Sequence, residues 1–516
     1  MTSPPATARD PRSHSTVPRL VREHIRERRR HVALVVDGWR SLTLGDWDTA
    51  ATALARGMHA YGVRRGDRVA VLCPPGGWWD QAVATLALHR LGAATVPLPP
   101  GLPAGEAGRR MAHCGVVGLI RPSGAHESCP GGWTDTLGEL TRRGGDAAPA
   151  DEAFPGDVAD ILHTSGTTTG RAKPVAVTHA NLTHGRAARG RFTAGAPHVL
   201  CAVPVGTNAA HSALMMALTS PATVHVLSAP DPETIAEAAA GLGPATVVLP
   251  PRAVRHWAAT DITRRHDLAG LAALMVGSGP VAPASVARLH RALPQARILA
   301  GYGSTESAPA FLNSPLPPGY LSALTPSARS AVSLGSPADG TEVMVTDEEG
   351  APVGAGERGW IHLRHPAPRR SYVALPEEEA RTFRPDGWTR TGDLGHIDGE
   401  GKVHFFDRAA HVLVRDGRTL SSSELENTLL WQPEVVEAAV FALPPADEQG
   451  NGRGQIVAAV TVNGPVHEGR LRERMEDMLA REDRPDRLVV LDTLPRGDLG
   501  KVLKWRLARE CADLAL

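Results

Sequence analysis

The chain has 516 residues, and its 55 basic and 55 acidic side chains cancel to a formal net charge of zero. This length exceeds what one hydrophobic core usually organises and predicts about two to four domains. A balanced charge gives no general attraction for nucleic acid or for an anionic membrane surface, so neither is expected as a partner.

The five cysteines are scattered and contain no Cys-x-x-Cys pair, which predicts free thiols packed in the core of a protein from a reducing compartment, without a zinc site. No apolar run approaches the roughly 20 residues needed to cross a bilayer, and the N-terminus lacks the apolar segment of a signal peptide. The arginines between Arg22 and Arg30 are typical of a solvated helix, with a transit peptide as the alternative. We therefore expect a cytoplasmic protein.

Residues 1–17 are rich in Pro, Ser and Thr and are expected to form a disordered extension. From Val32 to Leu249, apolar runs such as Arg68–Cys73 alternate with helical stretches such as Trp79–Leu91. This alternation is typical of an α/β architecture with largely parallel sheets. The same pattern predicts further strands at 95–98, 116–120, 198–203 and 246–249 and a helix at 46–61.

Residues 163–174 read His-Thr-Ser-Gly-Thr-Thr-Thr-Gly-Arg-Ala-Lys-Pro and lie between two apolar runs. Hydroxyl side chains, two glycines and Lys173 are typical of a mobile loop between strands that holds phosphate oxygens. The spacing of a Walker A loop is absent. Taken alone, the segment fits an ordinary loop equally well, but lysine is otherwise nearly missing from the chain, which favours a functional role.

The sequence pattern changes from Ser333 to Phe406. Short alternating strands separated by Gly-rich turns predict an antiparallel or barrel-like region there. A small αβ unit is predicted after Asp407. Its first helix begins at the capping-box pattern Ser421–Glu424 and runs through Leu430. Strands at 435–441 and 456–462 and a helix near 468–480 follow.

We place a domain boundary at Asp407 or Arg408. This boundary divides the chain into a large domain of residues 18–407, with the barrel-like part at about 333–406, and a small domain of residues 408–516.

Four further segments carry groups suited to nucleotide chemistry. Gly301–Glu306 follows a strand and offers an aromatic face for a base, a hydroxyl for phosphate and a carboxylate for Mg²⁺. Asp393 ends the segment 388–393 and can accept both ribose hydroxyls, while Arg408 can add a guanidinium near ribose or phosphate. Lys501 ends a Gly-containing turn, 494–501, from which it can reach into a site.

Together these segments resemble the adenylate-forming superfamily of acyl-CoA synthetases, peptide-synthetase adenylation domains and luciferases. The resemblance covers about residues 20–510 in the family's order. Other runs that fit it are Leu42-Thr43, Gly62-Val63, 66–71, 92–98, 277–280, 356–359 and Gly417.

The resemblance implies an α/β fold with a large N-terminal domain of parallel αβ subdomains plus a barrel-like region, and a small mobile α+β C-terminal domain. It implies an AMP-forming ligase that uses ATP and Mg²⁺ to convert an acid to an acyl-adenylate with release of pyrophosphate. The acyl group then usually passes to a thiol, which makes CoA or phosphopantetheine a possible further cofactor.

The resemblance also implies site residues. Lys501, Thr305 and Glu306 are the implied catalytic residues: Lys501 bridges the acid and the α-phosphate, Thr305 touches the α-phosphate, and Glu306 binds Mg²⁺. Asp393 and Arg408 hold the ribose. The implied phosphate loop comprises Thr164, Ser165, Gly166, Thr167, Thr168, Thr169, Gly170 and Lys173, with Thr167 a second metal ligand. The residues implied around adenine are Gly277, Ser278, Gly279, Gly301, Tyr302 and Gly303.

Acid-pocket positions in these enzymes follow a segment like Pro204–Gly206, which suggests His211, Met215 and Gly301 as pocket residues. Packing is the alternative for His211 and Met215. Taken singly, the other candidates also have ordinary explanations: Tyr302 as a core side chain, Glu306, Arg408 and Lys501 as surface charges, and Asp393 as a turn residue. These explanations lose force because all of the segments occur together and in order.

The chain departs from the family pattern at several points. The phosphate loop has one extra residue, Ala172 replaces the usual proline, and Pro174 replaces a glycine. After Pro204, both the aromatic-histidine pair of many acyl-CoA synthetases and the Phe-Asp of amino-acid-activating domains are missing, which disfavours an α-amino acid. Ala410 stands at the hinge position that usually holds Asp or Lys.

Three functions remain open. The first is activation of a small acid, aryl and not α-amino, followed by transfer to CoA or to the thiol of a carrier protein. The second keeps adenylation with a different acceptor: an amide-forming ligase, or a diazotase that activates nitrite and acts on an aromatic amine in specialised metabolism. The third is a nucleotide-binding protein without catalysis, which Lys501, Glu306 and Asp393 argue against.

Overall fold

The computed structural model describes residues 15–103, 105–145, 151–164, 166, 172–185, 195–277, 279, 281–320, 332–338, 340–443, 454–497 and 501–513. Two large sheets dominate the chain up to Arg408, and helices pack on their faces. The α/β prediction is confirmed.

The first sheet has seven strands, most of them parallel. Its buried, Val- and Leu-rich strands are typical of a parallel sheet covered on both faces. In spatial order the strands are β18 (Ser371–Tyr372), β8 (Pro174–Thr178), β7 (Val158–His163), β4 (Ala94–Leu98), β3 (Arg68–Leu72), β5 (Gly118–Ile120) and β6 (Trp133–Asp135).

The second sheet has thirteen strands and changes character along its length. Neighbouring strands are parallel from Arg297–Tyr302 to Val32–Val36, and they are antiparallel from Arg297–Tyr302 to Glu342–Thr346. The order is β16 (Glu342–Thr346), β17 (Gly359–Arg364), β19 (Thr389–Ile397), β20 (Val403–Arg408), β15 (Val332–Ala338), β14 (Phe311–Leu316), β13 (Arg297–Tyr302), β12 (Leu271–Val276), β11 (Ala245–Leu249), β9 (His198–Cys201), β10 (Thr223–Val226), β1 (Val32–Val36) and β2 (Arg40–Thr43). The predicted antiparallel region is therefore continuous with the parallel sheet through β14.

Helices up to residue 382 cover these sheets. They are α1 (Val17–Arg28), α2 (Leu44–Ala60), α3 (Trp78–Arg90), α4 (Glu106–Cys114), α5 (Leu137–Arg142), α6 (His179–Thr183), α7 (Asn208–Thr219), α8 (Pro232–Ala240), α9 (Pro251–Ala259), α10 (Ile262–Arg265), α11 (Pro283–Ala292) and α12 (Pro376–Thr382). The largest core cluster lies where α2, α3 and α7 pack against strands of both sheets, with Trp47 and Trp78 fully buried.

The C-terminal unit has its own three-stranded sheet and a separate hydrophobic core. Its elements are β21 (Leu413–Arg415), β22 (Arg418–Leu420), α13 (Ser422–Leu429), β23 (Val435–Ala442), β24 (Ile456–Val462), α14 (Glu468–Met478), β25 (Arg487–Val490) and α15 (Lys504–Asp513). Ala282 and Ala284, from the segment that begins α11, pack into that core. The predicted small αβ unit is confirmed.

The connection at Asp407 is held by a buried cap. The Asp407 carboxylate, at the end of β20, accepts hydrogen bonds from Ser422 N (2.6 Å), Ser422 Oγ (2.8 Å) and Ser423 N (3.3 Å). It thereby satisfies donors at the N-terminus of α13 that have no partner within the helix. A short 3₁₀ helix, Ala409–His411, which includes Ala410, lies between the two.

The N-terminal prediction needs a correction. The expected disordered extension reached residue 17, but α1 already begins at Val17 and is capped by Thr16. Ser15 N donates to Thr183 Oγ1 (3.3 Å) and Val17 N to His179 Nδ1 (3.3 Å), so contacts with α6 hold this segment. Residues 1–14 lie outside the described residues. Among the residues that are described, no helix is both long enough and apolar enough to cross a membrane.

Candidate functional site

The loop between β7 and β8 is closed at its base by two hydrogen bonds. Thr164 N donates to the Lys173 carbonyl (3.0 Å), and Lys173 N donates to Thr164 Oγ1 (3.0 Å). The loop lies between two strands, as predicted, and since β7 and β8 pair antiparallel, it leaves and re-enters the sheet at the same end. Gly166 has a φ of 60°, which favours glycine. The remaining predicted loop ligands lie outside the described residues: Ser165, Thr167, Thr168, Thr169 and Gly170.

Tyr372 joins this loop to the predicted metal carboxylate. The Lys173 ammonium lies 5.0 Å from the centre of the Tyr372 ring, and the Tyr372 hydroxyl donates to Glu306 Oε1 (2.9 Å). Burial and the neighbouring Glu306 carboxylate raise the pKa of Tyr372, so this hydroxyl stays a protonated donor. The phosphate-type loop and the Gly301–Glu306 segment therefore meet at one place.

Two glycine segments lie side by side at the ends of β12 and β13. These strands pair in parallel up to Val276 and Ala300, so Gly277 and Gly301 follow at the same edge. A Cβ added at Gly301 would lie 2.4 Å from the Phe311 ring, and one at Gly277 would lie 3.1 Å from the Gly301 carbonyl oxygen. Close packing within the protein therefore requires glycine at position 301 and favours it at position 277. Gly279 and Gly303 are exposed nearby in sequence, and Ser278 lies outside the described residues.

Asp393, Tyr302 and Arg408 form a connected group. The Tyr302 hydroxyl donates to Asp393 Oδ2 (2.6 Å), and Arg408 Nε lies 3.5 Å from Asp393 Oδ1. Asp393 and Arg408 are cross-strand partners on β19 and β20, which explains how residues 15 positions apart meet. Burial raises the pKa of Asp393, against the opposing effects of Arg408 and the Tyr302 hydrogen bond.

Lys501 completes the group from the C-terminal unit. Burial, followed by repulsion from Arg408, lowers the pKa of its ammonium, while Asp393 and Glu306 act in the opposite direction. Since the charges of Asp393, Glu306 and Arg408 all act on it, the Lys501 ammonium lies near the other predicted nucleotide-binding residues. Residues more than 100 positions apart are thus brought together.

Arg370 is a site residue that sequence reasoning missed. Its buried guanidinium donates to Thr305 O (2.8 Å), to Asn208 Oδ1 (3.0 Å) and to Asn181 Oδ1 (3.2 Å). Asn181 in turn donates to Ala308 O (3.0 Å). Arg370 therefore fixes the backbone of the Thr305–Glu306 segment from behind.

Tyr372, the second missed residue, is only two positions further along. An Arg-Arg-Ser-Tyr run carries no spacing of its own that links it to Glu306. The only available signal was the rarity of tyrosine, which occurs four times in the chain.

The predicted acid-pocket residues face the interior. His211 and Met215, one turn apart on α7, are both 1% exposed. His211 Nε2 lies 3.6 Å from the buried Asp160, which also contacts His89 at 3.2 Å, and Met215 belongs to the main core cluster. This placement favours packing over substrate contact for both side chains.

The donor set around Glu306 fits a magnesium ion. Carboxylate and hydroxyl oxygens are its preferred protein ligands, and it usually takes only one or two of them together with substrate phosphates. Glu306 has one oxygen fixed by Tyr372 and a second, Oε2, beside it, while Thr167, the other predicted ligand, lies outside the described residues. Within the described ranges no group of three or more His, Cys, Asp or Glu side chains forms an all-protein metal site.

Comparisons with known proteins agree with this geometry. A model of the AMP-binding enzyme family matches residues 21–373. The chain is 30% identical over 491 residues to a feruloyl-CoA synthase of Amycolatopsis sp., covering 93% of this chain and 96% of the relative. It is 28% identical over 509 residues to the salicyl-AMP ligase / salicyl-S-ArCP synthetase of Mycobacterium tuberculosis, covering 92% and 86%.

A solved structure shows the same fold. The anthranilate CoA ligase AuaEII in complex with anthranoyl-AMP superposes with a TM-score of 0.82 at 21% identity, covering 97% of this chain and 98% of that one. Since a family model matches more than half of the chain and the curated relatives align over nearly all of it, the chain belongs to the AMP-binding, adenylate-forming enzyme family as an AMP-forming, acyl-CoA synthetase-like ligase.

Proposed function

We propose that this protein activates a small aryl acid that is not an α-amino acid, and then transfers the acyl group to the thiol of CoA or of a carrier protein. The observation that carries the proposal is the proximity of Lys501, from the C-terminal unit, to Glu306 and to the paired Asp393 and Arg408, whose charges all act on it. In this proposal residues 18–407 act as the large domain and residues 408–516 as the small domain.

In the first step a carboxylate oxygen of the acid attacks the α-phosphorus of ATP, and the bond to pyrophosphate breaks with its electron pair. Lys501 donates to the acid and α-phosphate oxygens, where negative charge accumulates. Thr305 donates to the α-phosphate, and Arg370 holds its backbone in place. Thr164, Gly166 and Lys173 border the β- and γ-phosphates together with the rest of the loop.

Asp393 accepts from the ribose hydroxyls, and Arg408 keeps that carboxylate oriented. Glu306, with Thr167, would hold Mg²⁺, which supplies charge neutralisation for the phosphates when bound. The Tyr372 hydrogen bond orients the Glu306 carboxylate for this purpose. Tyr302 presents its ring beside the glycine segments, while its hydroxyl is engaged by Asp393.

The relatives support an aryl acid. Feruloyl and salicyl groups, in the names of the two curated relatives, are both aryl acyl groups. The missing Phe-Asp after Pro204 removes the partner that an α-amino group would need. One of these relatives is a CoA synthase and the other acts on a carrier protein, so both thiol acceptors belong to the proposal.

The test is a panel assay of the purified protein with ATP and Mg²⁺. AMP and pyrophosphate are measured with benzoates, salicylates and cinnamates, each with and without CoA or a phosphopantetheinylated carrier protein. We expect AMP and pyrophosphate in equal amounts with at least one aryl acid, and a thioester when a thiol is added. An α-amino acid panel is the matched control.

Each other outcome contradicts the proposal in a different way. Formation of ADP would overturn adenylation itself. Turnover only with nitrite and an aryl amine would replace the acid with nitrite and favour a diazotase. Adenylation with transfer to an amine and not to a thiol would favour an amide-forming ligase. ATP binding without turnover on any substrate would favour a non-catalytic protein.

A further inference from the structure

Glu437 connects the large domain to the hairpin that carries Lys501. It lies on β23, and its Oε1 is the acceptor for two arginines. Arg255 Nη2, from α9 of the large domain, lies 3.3 Å away, and Arg496 Nη2, from the C-terminal turn, contacts the same oxygen. All three side chains are largely buried, with exposures of 18% or less.

Arg496 stands at the base of that hairpin. It pairs with Val502 across an isolated β-bridge, Gly497 N donates to Lys501 O (2.9 Å), and Leu503 N donates to Pro495 O (2.9 Å). Lys501 is therefore five residues from Arg496 along the chain but on the strand opposite it, next to its bridge partner Val502. A contact that fixes Arg496 also fixes the starting point of the Lys501 side chain.

The charges of this cluster favour a tight connection. Burial opposes ionisation of Glu437, but Arg255 and Arg496 outweigh it and lower the pKa of the carboxylate. Glu437 is thus an anion shared by two cations in a setting with little water. Removing one of these three side chains should destabilise the cluster, because the charges of the other two remain buried and are less well compensated.

We propose that Arg255 is a positioning residue for the adenylation step: through Glu437 and Arg496 it holds Lys501 near Asp393 and Glu306 of the large domain. Arg255 is not among the residues predicted to bind ATP, Mg²⁺ or the acid, and it acts through Lys501. The proposal rests on the function proposed above, since it assigns Lys501 its role in adenylation. It goes further by naming the contact between domains that sets the position of Lys501.

The first test is steady-state pyrophosphate release by Arg255→Ala. We expect kcat to fall about tenfold, the order expected for loss of one hydrogen bond to a charged group. The KM for ATP should stay within about twofold, because the proposed ATP-binding residues other than Lys501 either belong to the large domain or, like Arg408, are held by pairing with it on β19. Arg255→Lys, which keeps the charge, should recover part of the rate.

Arg252→Ala is the matched control. Arg252 lies on the same helix and is exposed, so its loss should leave kcat unchanged. An equal loss in both variants, or a rise in the KM for ATP with an unchanged kcat for Arg255→Ala, would overturn the proposal.

A double mutant separates positioning from a general structural effect. If Arg255 acts through Lys501, then Arg255→Ala should change the residual rate of Lys501→Ala by less than about twofold, because effects on one shared interaction are not additive. A further tenfold loss in the double mutant would overturn the proposal.

A measurement without substrate keeps this proposal distinct from the proposed function. Backbone amide hydrogen exchange of the protein alone should be faster at 494–497 and 501–503 in Arg255→Ala than in the wild type, and unchanged in Arg252→Ala. If the wild type makes no AMP from any acid but this exchange difference is present, the proposed function fails while the connection stands. Identical exchange in all three proteins would remove the connection itself.

Discussion

Tyr372 shows how one side chain serves two parts of a nucleotide site. Its ring faces the Lys173 ammonium and its hydroxyl donates to Glu306. In the proposed site the ring keeps the Lys173 ammonium near the ATP phosphates, while the hydroxyl limits rotation of the Glu306 carboxylate. A single phenol thereby contacts both Lys173, to which we assign the phosphates, and Glu306, to which we assign Mg²⁺.

Tyr372→Phe removes only the hydroxyl and isolates this orienting role. We expect the Mg²⁺ concentration for half-maximal pyrophosphate release to rise about tenfold, the order of one hydrogen bond to a charged group, because Glu306 loses its fixed orientation. Mn²⁺ binding in the presence of ATP, followed by electron paramagnetic resonance, should weaken in parallel. Tyr320→Phe is the control, and an unchanged Mg²⁺ midpoint in Tyr372→Phe would contradict the assignment.

Lys501→Ala tests the residue on which adenylation depends most. Loss of a preorganised donor to developing charge typically costs on the order of 10²–10³ in rate. We expect a loss of this size in pyrophosphate release, with an unchanged midpoint of thermal unfolding. Lys402→Ala is the control because Lys402 is exposed and forms an ion pair with Glu400 on the surface. Release close to the wild-type rate in Lys501→Ala would refute the role.

At the scale of elements, the end of β20 and the start of α13 form one unit. Asp407 is 2% exposed and caps α13 although it does not belong to that helix. Ser421, the N-cap residue of α13, accepts a hydrogen bond from Glu424 N (3.0 Å). Lys504 Nζ, from α15, donates to Ser422 Oγ (2.6 Å), so the last helix contacts the same point. The order of the C-terminal unit thus depends on a strand that precedes it.

Asp407→Ala should therefore destabilise the C-terminal unit more than the rest of the protein. Loss of several hydrogen bonds to a buried carboxylate should cost about 2–4 kcal/mol, given about 1.5–3 kcal/mol for one bond to a charged group and incomplete additivity. Urea unfolding followed by hydrogen exchange should show earlier opening of 413–443. Glu473→Ala, on the exposed side of α14, is the control; equal opening in both variants would contradict the role of the cap.

Several elements followed from the local pattern. Apolar runs with β-branched residues predicted β3, β4, β11, β23 and β24 to within one or two residues, because strands buried on both faces read as continuous apolar segments. The α2 and α3 helices were predicted equally well. What the pattern did not reveal is that β14 joins the parallel and antiparallel parts into one sheet, since the partner of a strand is not encoded in its own residues.

At the scale of the whole molecule, many buried histidines make folding sensitive to acid. Burial is the first cause that lowers the pKa to about 3 for His163, His179 and His411 and to about 4 for His225 and His362. In the unfolded chain the same groups titrate near 6.5. Between these values the unfolded chain binds more protons than the folded one.

Stability should therefore be full above about pH 6.5 and fall steadily as the pH decreases toward 4. We expect the thermal midpoint to decrease over this range, and the decrease to be smaller in His362→Gln, which lacks one of these groups. His126→Gln alters an exposed histidine and should leave the slope unchanged. A midpoint that rises on acidification would contradict the account.

The sequence by itself determined the fold class, the family and the chemistry of the candidate residues. The phosphate-type loop, the Gly301–Glu306 segment, Asp393, Arg408 and Lys501 are each short and local, so their composition and order can be recognised without knowing what lies beside them. A short motif contains its own backbone geometry and hydrogen-bond donors, so it can be recognised from the sequence alone.

Only the tertiary structure decided which of these residues touch one another and what supports them. Arg370 behind Thr305, Tyr372 beside Glu306, and Arg255 against Glu437 join residues 65, 66 and 182 positions apart. His211 likewise proved to face Asp160 in the interior. Such contacts arise when strands and domains pack, and a partner that is distant in the chain leaves no periodicity or spacing from which to infer it.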